Sequence, residues 1–254
     1  MTIDRAAFDH EGFVFLAQAL SQDSLAPLRK EAQAQLNAVQ SAAHEDNVLI
    51  EDDDESVRLI RNIHQRSDVF AQCMRHPRLL SLAEGLLGGP VYAHNTKLNH
   101  KPPFTGGAFD WHQDYAYFAP EIPAPKMITL CLFLDDIGAH NAPMMLIPQS
   151  HQMGLINVPH RDEMTLEEKR SYPPSRRDNL MYSLPNEALH QASKKGGIYS
   201  GIGPAGSILA MSVNMFHASN MNLSPFSRRV FIVRYNLVSN APKGEHPTAL
   251  THAF

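Results

Sequence analysis

The segment Trp111-His112-Gln113-Asp114 places a histidine and a carboxylate two residues apart. In an extended strand such residues project from one face, so His112 and Asp114 can reach a single ion. Two imidazoles and one carboxylate would complete the facial triad that suits Fe(II), holding one face of the octahedron and leaving three positions open. His217, about 100 residues downstream, follows the apolar stretch Ile208 to Phe216 and can supply the third ligand. Eleven residues further, Arg228 opens another apolar stretch, and its planar guanidinium is matched to a carboxylate. Read singly, each has a plainer meaning: a hydrogen-bonded surface pair, a strand-end histidine, a solvated edge arginine. Together they point to a metal and a carboxylate-bearing ligand.

These residues need a scaffold that brings distant strands together, and the chain has the composition for one. It has 254 residues, 43% hydrophobic and 19% charged, as expected of one globular domain spanning 1–254. With 22 Lys and Arg against 26 Asp and Glu, the formal charge of -4 excludes a broad basic face for nucleic acid. No apolar run reaches the roughly 18 residues of a membrane helix. Asp4, Arg5, Asp9 and Glu11 interrupt what a signal peptide would keep apolar, so a cytoplasmic protein is expected. Cys73 and Cys131 form no zinc or disulfide spacing. The 14 histidines are roughly twice ordinary usage, a first sign of metal.

The first 90 residues read as mainly helical. After a short strand at Gly12 to Leu16, a helix runs through Leu28, Ala32, Leu36 and Val39 with Pro27 in its first turn, and a second helical stretch, Ser67 to Leu87, is split by Pro77. The acidic run Glu51 to Glu55 is expected in a solvated loop. From Val91 the texture turns to short apolar runs between Pro and Gly: Val91 to Asn99, Phe109 to Tyr117, Lys126 to Asp135, Pro143 to Pro148, Gly206 to Ser212 and Arg228 to Leu237. The expectation is an α+β protein whose residues 91–240 form a jelly-roll, cupin-like double-stranded β-helix flanked by N-terminal helices. The polar insertion 151–203, with Arg176, Arg177, Lys194 and Lys195, has the length and glycine content of a lid.

The chain resembles the phytanoyl-CoA dioxygenase family of Fe(II)/2-oxoglutarate oxygenases, most of all its ectoine hydroxylase branch. The likeness runs from about Ser56 to Asn236 and is densest in four blocks: Val57 to Phe70, Val91 to Asp114, Ala142 to His151, and His217 to Asn236. It implies that His112, Asp114 and His217 hold iron and that Arg228 pairs with the distal carboxylate of 2-oxoglutarate. Asn99 and Ser219 would lie at this cosubstrate, with Asn95 replacing a glutamine of the branch. The implied reaction consumes 2-oxoglutarate and O2, releases succinate and CO2, and hydroxylates an unactivated C-H bond. An intact Asp114 argues against halogenation, because related halogenases have Gly or Ala there.

The substrate expected is a free, polar small molecule, amino-acid-like or a natural-product intermediate, acted on by a monomer or homodimer. Where ectoine hydroxylases carry an aromatic Trp-His segment, this chain reads Tyr115-Ala116-Tyr117-Phe118, so ectoine itself is not carried over. Tyr115, Tyr117 and Phe118 are candidates for a substrate wall, and Arg58, Arg61 and Arg234 for a substrate anion. Rival readings are the same oxidant used for desaturation, cyclisation or epimerisation, a non-catalytic jelly-roll binding protein, and a zinc hydrolase. The last two leave Arg228 or the open metal positions without a role.

Overall fold

The structure, a computed structural model, describes residues 4–40, 46–51, 55–169 and 181–252. Among the described residues eleven strands run in chain order: β1 (Phe13–Leu16), β2 (Val48–Ile50), β3 (Val57–Arg61), β4 (Val91–Lys101), β5 (Phe109–His112), β6 (Met127–Phe133), β7 (Met144–Leu146), β8 (Tyr199–Gly201), β9 (Ile208–Ser212), β10 (His217–Ser219) and β11 (Arg228–Leu237). They pair antiparallel throughout, in a seven-stranded sheet ordered β1-β9-β6-β11-β4-β3-β2 and a four-stranded sheet ordered β5-β10-β7-β8.

Strand alternation divides the large sheet's residues between two cores. Leu130, Leu132, Phe231, Val233 and Tyr235 face the helices, where they join Leu28, Ala32, Phe70, Leu79 and Leu80. Cys131, Phe133, Val230 and Ile232 face inward and meet Met144 and Leu146 of the small sheet. This is the expected jelly-roll core. The helices end where the backbone chemistry says they should. Asp4 accepts from the Ala7 amide at 2.8 Å at the start of the Arg5–Glu11 helix, and Pro77 opens the Pro77–Leu87 helix, where its missing N-H costs nothing.

Within residues 1–90 the described elements are mostly helical, Arg5–Glu11, Gln22–Gln40, Ile63–Arg66, Asp68–Cys73 and Pro77–Leu87, and the strand expected at Gly12 to Leu16 is β1, at one edge of the large sheet. Strands β2 and β3, at the other edge, are additions to the expectation; with three and five residues they are too short for a period to declare itself. Two expectations are corrected. The expected strand Phe109 to Tyr117 stops at His112, and Asp114 to Tyr117 form a 3-10 turn. Pro27 lies deeper than the first turn, inside the Gln22–Gln40 helix.

An irregularity in β4 decides which of its side chains enter the interior. Arg234 is opposite Asn95 but Tyr235 is opposite Ala93, so His94 is an extra residue, a β-bulge. Before it Val91 and Ala93 pack toward the helices; after it Leu98 does. The bulge thereby turns Asn95, Lys97, Asn99 and Lys101 toward the interior. Phe231 sits at the centre of the helix-facing core, fully buried, with its ring 4.8 Å from that of Phe70. Replacing it with alanine is expected to lower the unfolding free energy by about 3–5 kcal/mol, measurable by urea denaturation.

Candidate active site

His112 ends β5 and His217 begins β10, and the two are direct cross-strand partners in the small sheet. Their ring centroids lie 4.0 Å apart. The residue between His112 and Asp114 explains how the turn is held. Gln113 is buried and donates to the carbonyls of Gly154 at 2.7 Å and Asn214 at 2.8 Å, while its Oε1 accepts from the Ile156 amide at 2.9 Å. With Gln113 anchored away from the interior, the turn carries Asp114 back toward the histidines. One donor atom from each of His112, Asp114 and His217 lies within 4.8 Å of the others.

The ring orientations suit a metal. Nδ1 of His112 faces the Asp110 carbonyl at 2.7 Å and Nδ1 of His217 faces that of Met215 at 3.0 Å, so each Nδ1 carries the proton. Both Nε2 lone pairs then look toward Asp114 Oδ1, each 3.8 Å away. Burial pushes His112 down to about 3, aided by His217 and opposed by Asp114. Burial likewise lowers His217, against the pull of Asp114. For Asp114, burial alone would raise the carboxyl, but Arg234, His217 and His112 outweigh it and hold it well below the usual carboxylate range. Two neutral imidazoles and one carboxylate form a donor set of the right charge and type for Fe(II).

The polar side chains of the large sheet close the other wall. A cavity is lined by Leu59, Lys97, Asn99, Phe109, His112, Met144, His217, Ala218, Ser219, Arg228, Ile232 and Arg234. Arg228 is 1% exposed and donates Nη1 to Asn99 Oδ1 at 3.1 Å, and its buried Nε has no partner among the described residues. Burial pushes its guanidinium down to about 10, so it remains charged at neutral pH. Burial and the neighbouring charge of Arg234 push Lys97 down to about 7, with Asp114 opposing.

Of the residues expected from sequence, the structure brings His112, His217, Asn99, Ser219, Arg228 and Arg234 to this cavity, with Asp114 bonded behind it. Arg234 is not free for a substrate anion: its Nε and Nη2 clasp Asp114 at 3.1 and 2.6 Å, and its Nη1 donates to Asn95 at 3.0 Å. Asn95 therefore sits beyond Arg234, outside the cavity lining. Tyr115 is core, its hydroxyl bonded to the Ile122 carbonyl at 2.8 Å. Tyr117 lies edge-on to His112, with centroids 6.4 Å apart, and Phe118 lies near Arg234 and His94.

Arg58 is buried as well, stacked 3.9 Å over the Phe109 ring and paired with Glu51 at 3.1 Å. Glu51 is thus not in a solvated loop, while residues 52–54 of the acidic run lie outside the described residues. Its carboxylate also accepts from the Gly107 amide at 2.9 Å, and any side chain at Gly107 would collide with Arg58 and Glu51. Arg61 is exposed and donates to the Asp46 carbonyl at 3.3 Å.

In the insertion, Tyr182 packs edge-on against Tyr117 at 5.2 Å and His160 against Tyr182 at 5.7 Å, and the Leu184 amide bonds to the Trp111 carbonyl at 2.8 Å. Arg176 and Arg177 lie outside the described residues, and Lys194 and Lys195 lie in the last turn of the Asn186–Gly196 helix. Sequence reasoning missed Lys97 and Thr129. Lys97 is two residues before Asn99 and so on its face. Thr129 is the one hydroxyl in the apolar strand Met127–Phe133, and that oddity was the available signal.

The sequence profile described as Phytanoyl-CoA dioxygenase (PhyH) matches residues 8–230. Ectoine dioxygenase of Sphingopyxis alaskensis is 34% identical over 239 residues, covering 92% of this chain and 75% of that protein. L-proline trans-4-hydroxylase of Streptomyces griseoviridis is 31% identical over 245 residues, covering 96% of this chain and 88% of that protein. Among solved structures, EctD from S. alaskensis with 2-oxoglutarate and 5-hydroxyectoine superposes with a TM-score of 0.79 at 29% identity, covering 98% of this chain and 86% of that one. The same enzyme has been solved with bound Fe.

Because burial lowers both imidazoles, that of His112 to about 3, protons compete poorly for their lone pairs. Affinity for a divalent metal is expected to stay nearly constant from about pH 8 to about pH 6, where histidines of ordinary pKa near 6.5 would lose it. Competition against a fluorescent chelator at each pH reads this directly.

Proposed function

The chain belongs to the phytanoyl-CoA dioxygenase family, and on that premise we propose that it is an Fe(II)- and 2-oxoglutarate-dependent dioxygenase that hydroxylates an unactivated C-H bond of a small polar metabolite. The observation that carries the reading is the buried cluster of two neutral imidazoles and one carboxylate beside a cavity that ends on a buried arginine. When bound, the iron supplies oxygen activation coupled to decarboxylation of 2-oxoglutarate to succinate and CO2. His112, Asp114 and His217 would hold it through Nε2, Oδ1 and Nε2. Arg228, oriented by Asn99 and with its Nε unmatched, would receive the distal carboxylate, and Ser219 lies on the same wall. Lys97, which burial pushes down to about 7, adds a further positive charge to that cavity below that pH.

The protein's remaining task is to orient the C-H bond and exclude water. Tyr117 and Phe118 form the wall proposed to meet the substrate, and the insertion 151–203, whose Tyr182 and His160 stack on Tyr117, is proposed as the lid. An amino-acid-like substrate is favoured by relatives named for ectoine and L-proline. No helix among the described residues is long and apolar enough to cross a membrane. We take the chain as one oxygenase domain, 1–254, working in the cytoplasm as a monomer or homodimer.

The test is oxygen consumption coupled to succinate release in a screen of amino acids and cyclic derivatives, with product analysis for the inserted hydroxyl. Anaerobically, Fe(II)-protein with 2-oxoglutarate is expected to show the visible charge-transfer band of the chelate. Absence of that band, or an undiminished band in His217→Ala, would sink the assignment. A lysine is charged below its pKa, so 2-oxoglutarate affinity is expected to be highest below about pH 7 and to fall as Lys97 deprotonates above it. Titrations of the same band at several pH values check this, and the fall should vanish in Lys97→Met.

A further inference from the structure

Asp114 is held by more than its ion pair. A carboxylate offers about four lone-pair sites, two on each oxygen. On Oδ2 both are engaged, by the Thr129 hydroxyl at 2.6 Å and by Arg234 Nε at 3.1 Å. On Oδ1 one is engaged, by Arg234 Nη2 at 2.6 Å. The remaining lone pair belongs to the oxygen that faces both imidazole Nε2 atoms at 3.8 Å. The donors are fixed by the sheet, since Arg234 is the direct cross-strand neighbour of Thr129 on β6 and of Asn95 on β4. All three of these side chains project from the interior face.

We propose that Thr129 and Arg234 are positioning residues that confine Asp114 to binding metal through one oxygen. The proposal rests on the iron reading of the site and adds to it a reason why the metal keeps enough open positions. Three protein donors contributing one atom each leave three sites of an octahedron, which is what a chelating 2-oxoacid and O2 together require. A carboxylate free to turn and bind through both oxygens would occupy one of them. Oδ2 is denied to the metal by two donors from neighbouring strands, and the Thr129 hydroxyl contributes this at no cost in charge.

Thr129→Val keeps the side-chain shape and removes the donor to Oδ2, and Thr129→Ser keeps the donor. In anaerobic Fe(II)-protein, Thr129→Val is expected to bind metal within a few-fold of wild type yet to weaken 2-oxoglutarate chelation, read from the charge-transfer band, by about 10- to 100-fold. Thr129→Ser should restore it. Arg234→Gln, with its fold checked by circular dichroism, should show the same split between metal and 2-oxoglutarate. Equal chelation by wild type and Thr129→Val would overturn the proposal, as would a parallel loss of metal and 2-oxoglutarate binding in both variants. A wild-type protein without the band would overturn the iron reading and this proposal with it; a wild-type band undiminished in the variants overturns only the proposal.

Discussion

An ionised carboxylate in a protein interior survives only when its lost hydration is replaced by fixed donors and opposite charge. Asp114 is 3% exposed, and the bidentate clasp of Arg234 with the Thr129 hydroxyl is what replaces the water. The rest of the centre depends on that interaction. It sets the position of Oδ1 relative to the imidazoles, and it uses up Arg234 as a cation. It also obliges β4, β6 and β11 to lie side by side with their polar residues turned inward. A jelly roll with a purely apolar interior would bury more hydrocarbon, but it could not hold this anion.

A second buried ion system backs the opposite end of the cavity. Arg58, Lys101 and Arg228 are all buried, and the carboxylate of Glu51 lies among them, bound to Arg58. Burial holds Lys101 well below its ordinary value, with Arg228 and Arg58 adding to the effect and Glu51 opposing it. Lys101 donates to the Gly107 and Asn220 carbonyls, and Arg58 to that of Ala108. Asp110 adds its charge to that of Glu51 at Arg58, whereas Arg228 is hydrogen-bonded to the neutral Asn99. The two interior arginines of β11 are therefore unlike: Arg234 is committed to Asp114, and the charge of Arg228 is left for a ligand carboxylate.

The triad was legible because its residue types are rare in combination, even though His112 and Asp114 do not converge as strand alternation predicts. They meet through a turn anchored by Gln113, and no period in the sequence distinguishes that route from a shared strand face. Strand β11 was legible to the residue because it is long and continuously apolar between its arginines. What period two could not tell was which arginine was committed internally, since Arg228 and Arg234 share a face and differ only in what lies across from them. Glu51 was hidden for a related reason: a carboxylate beside four other acidic residues reads as solvated, and its partner Arg58 is paired only by tertiary packing. The short strands β2, β8 and β10 carry too few residues for alternation to register.

The bulge at His94 acts on β4 as a reading frame does on a message. The strand serves two masters, the helix-facing core at its start and the polar interior further along, and the single additional residue is what lets one continuous strand satisfy both. Substitutions along β4 alter one side chain at a time, whereas loss or gain of one residue there would exchange every assignment on one side of the change. Either Val91 and Ala93 would leave the apolar core, or Asn95, Lys97 and Asn99 would be driven into it. Variation that retunes this pocket is therefore confined to replacement at fixed length, and divergence in length must fall outside β4.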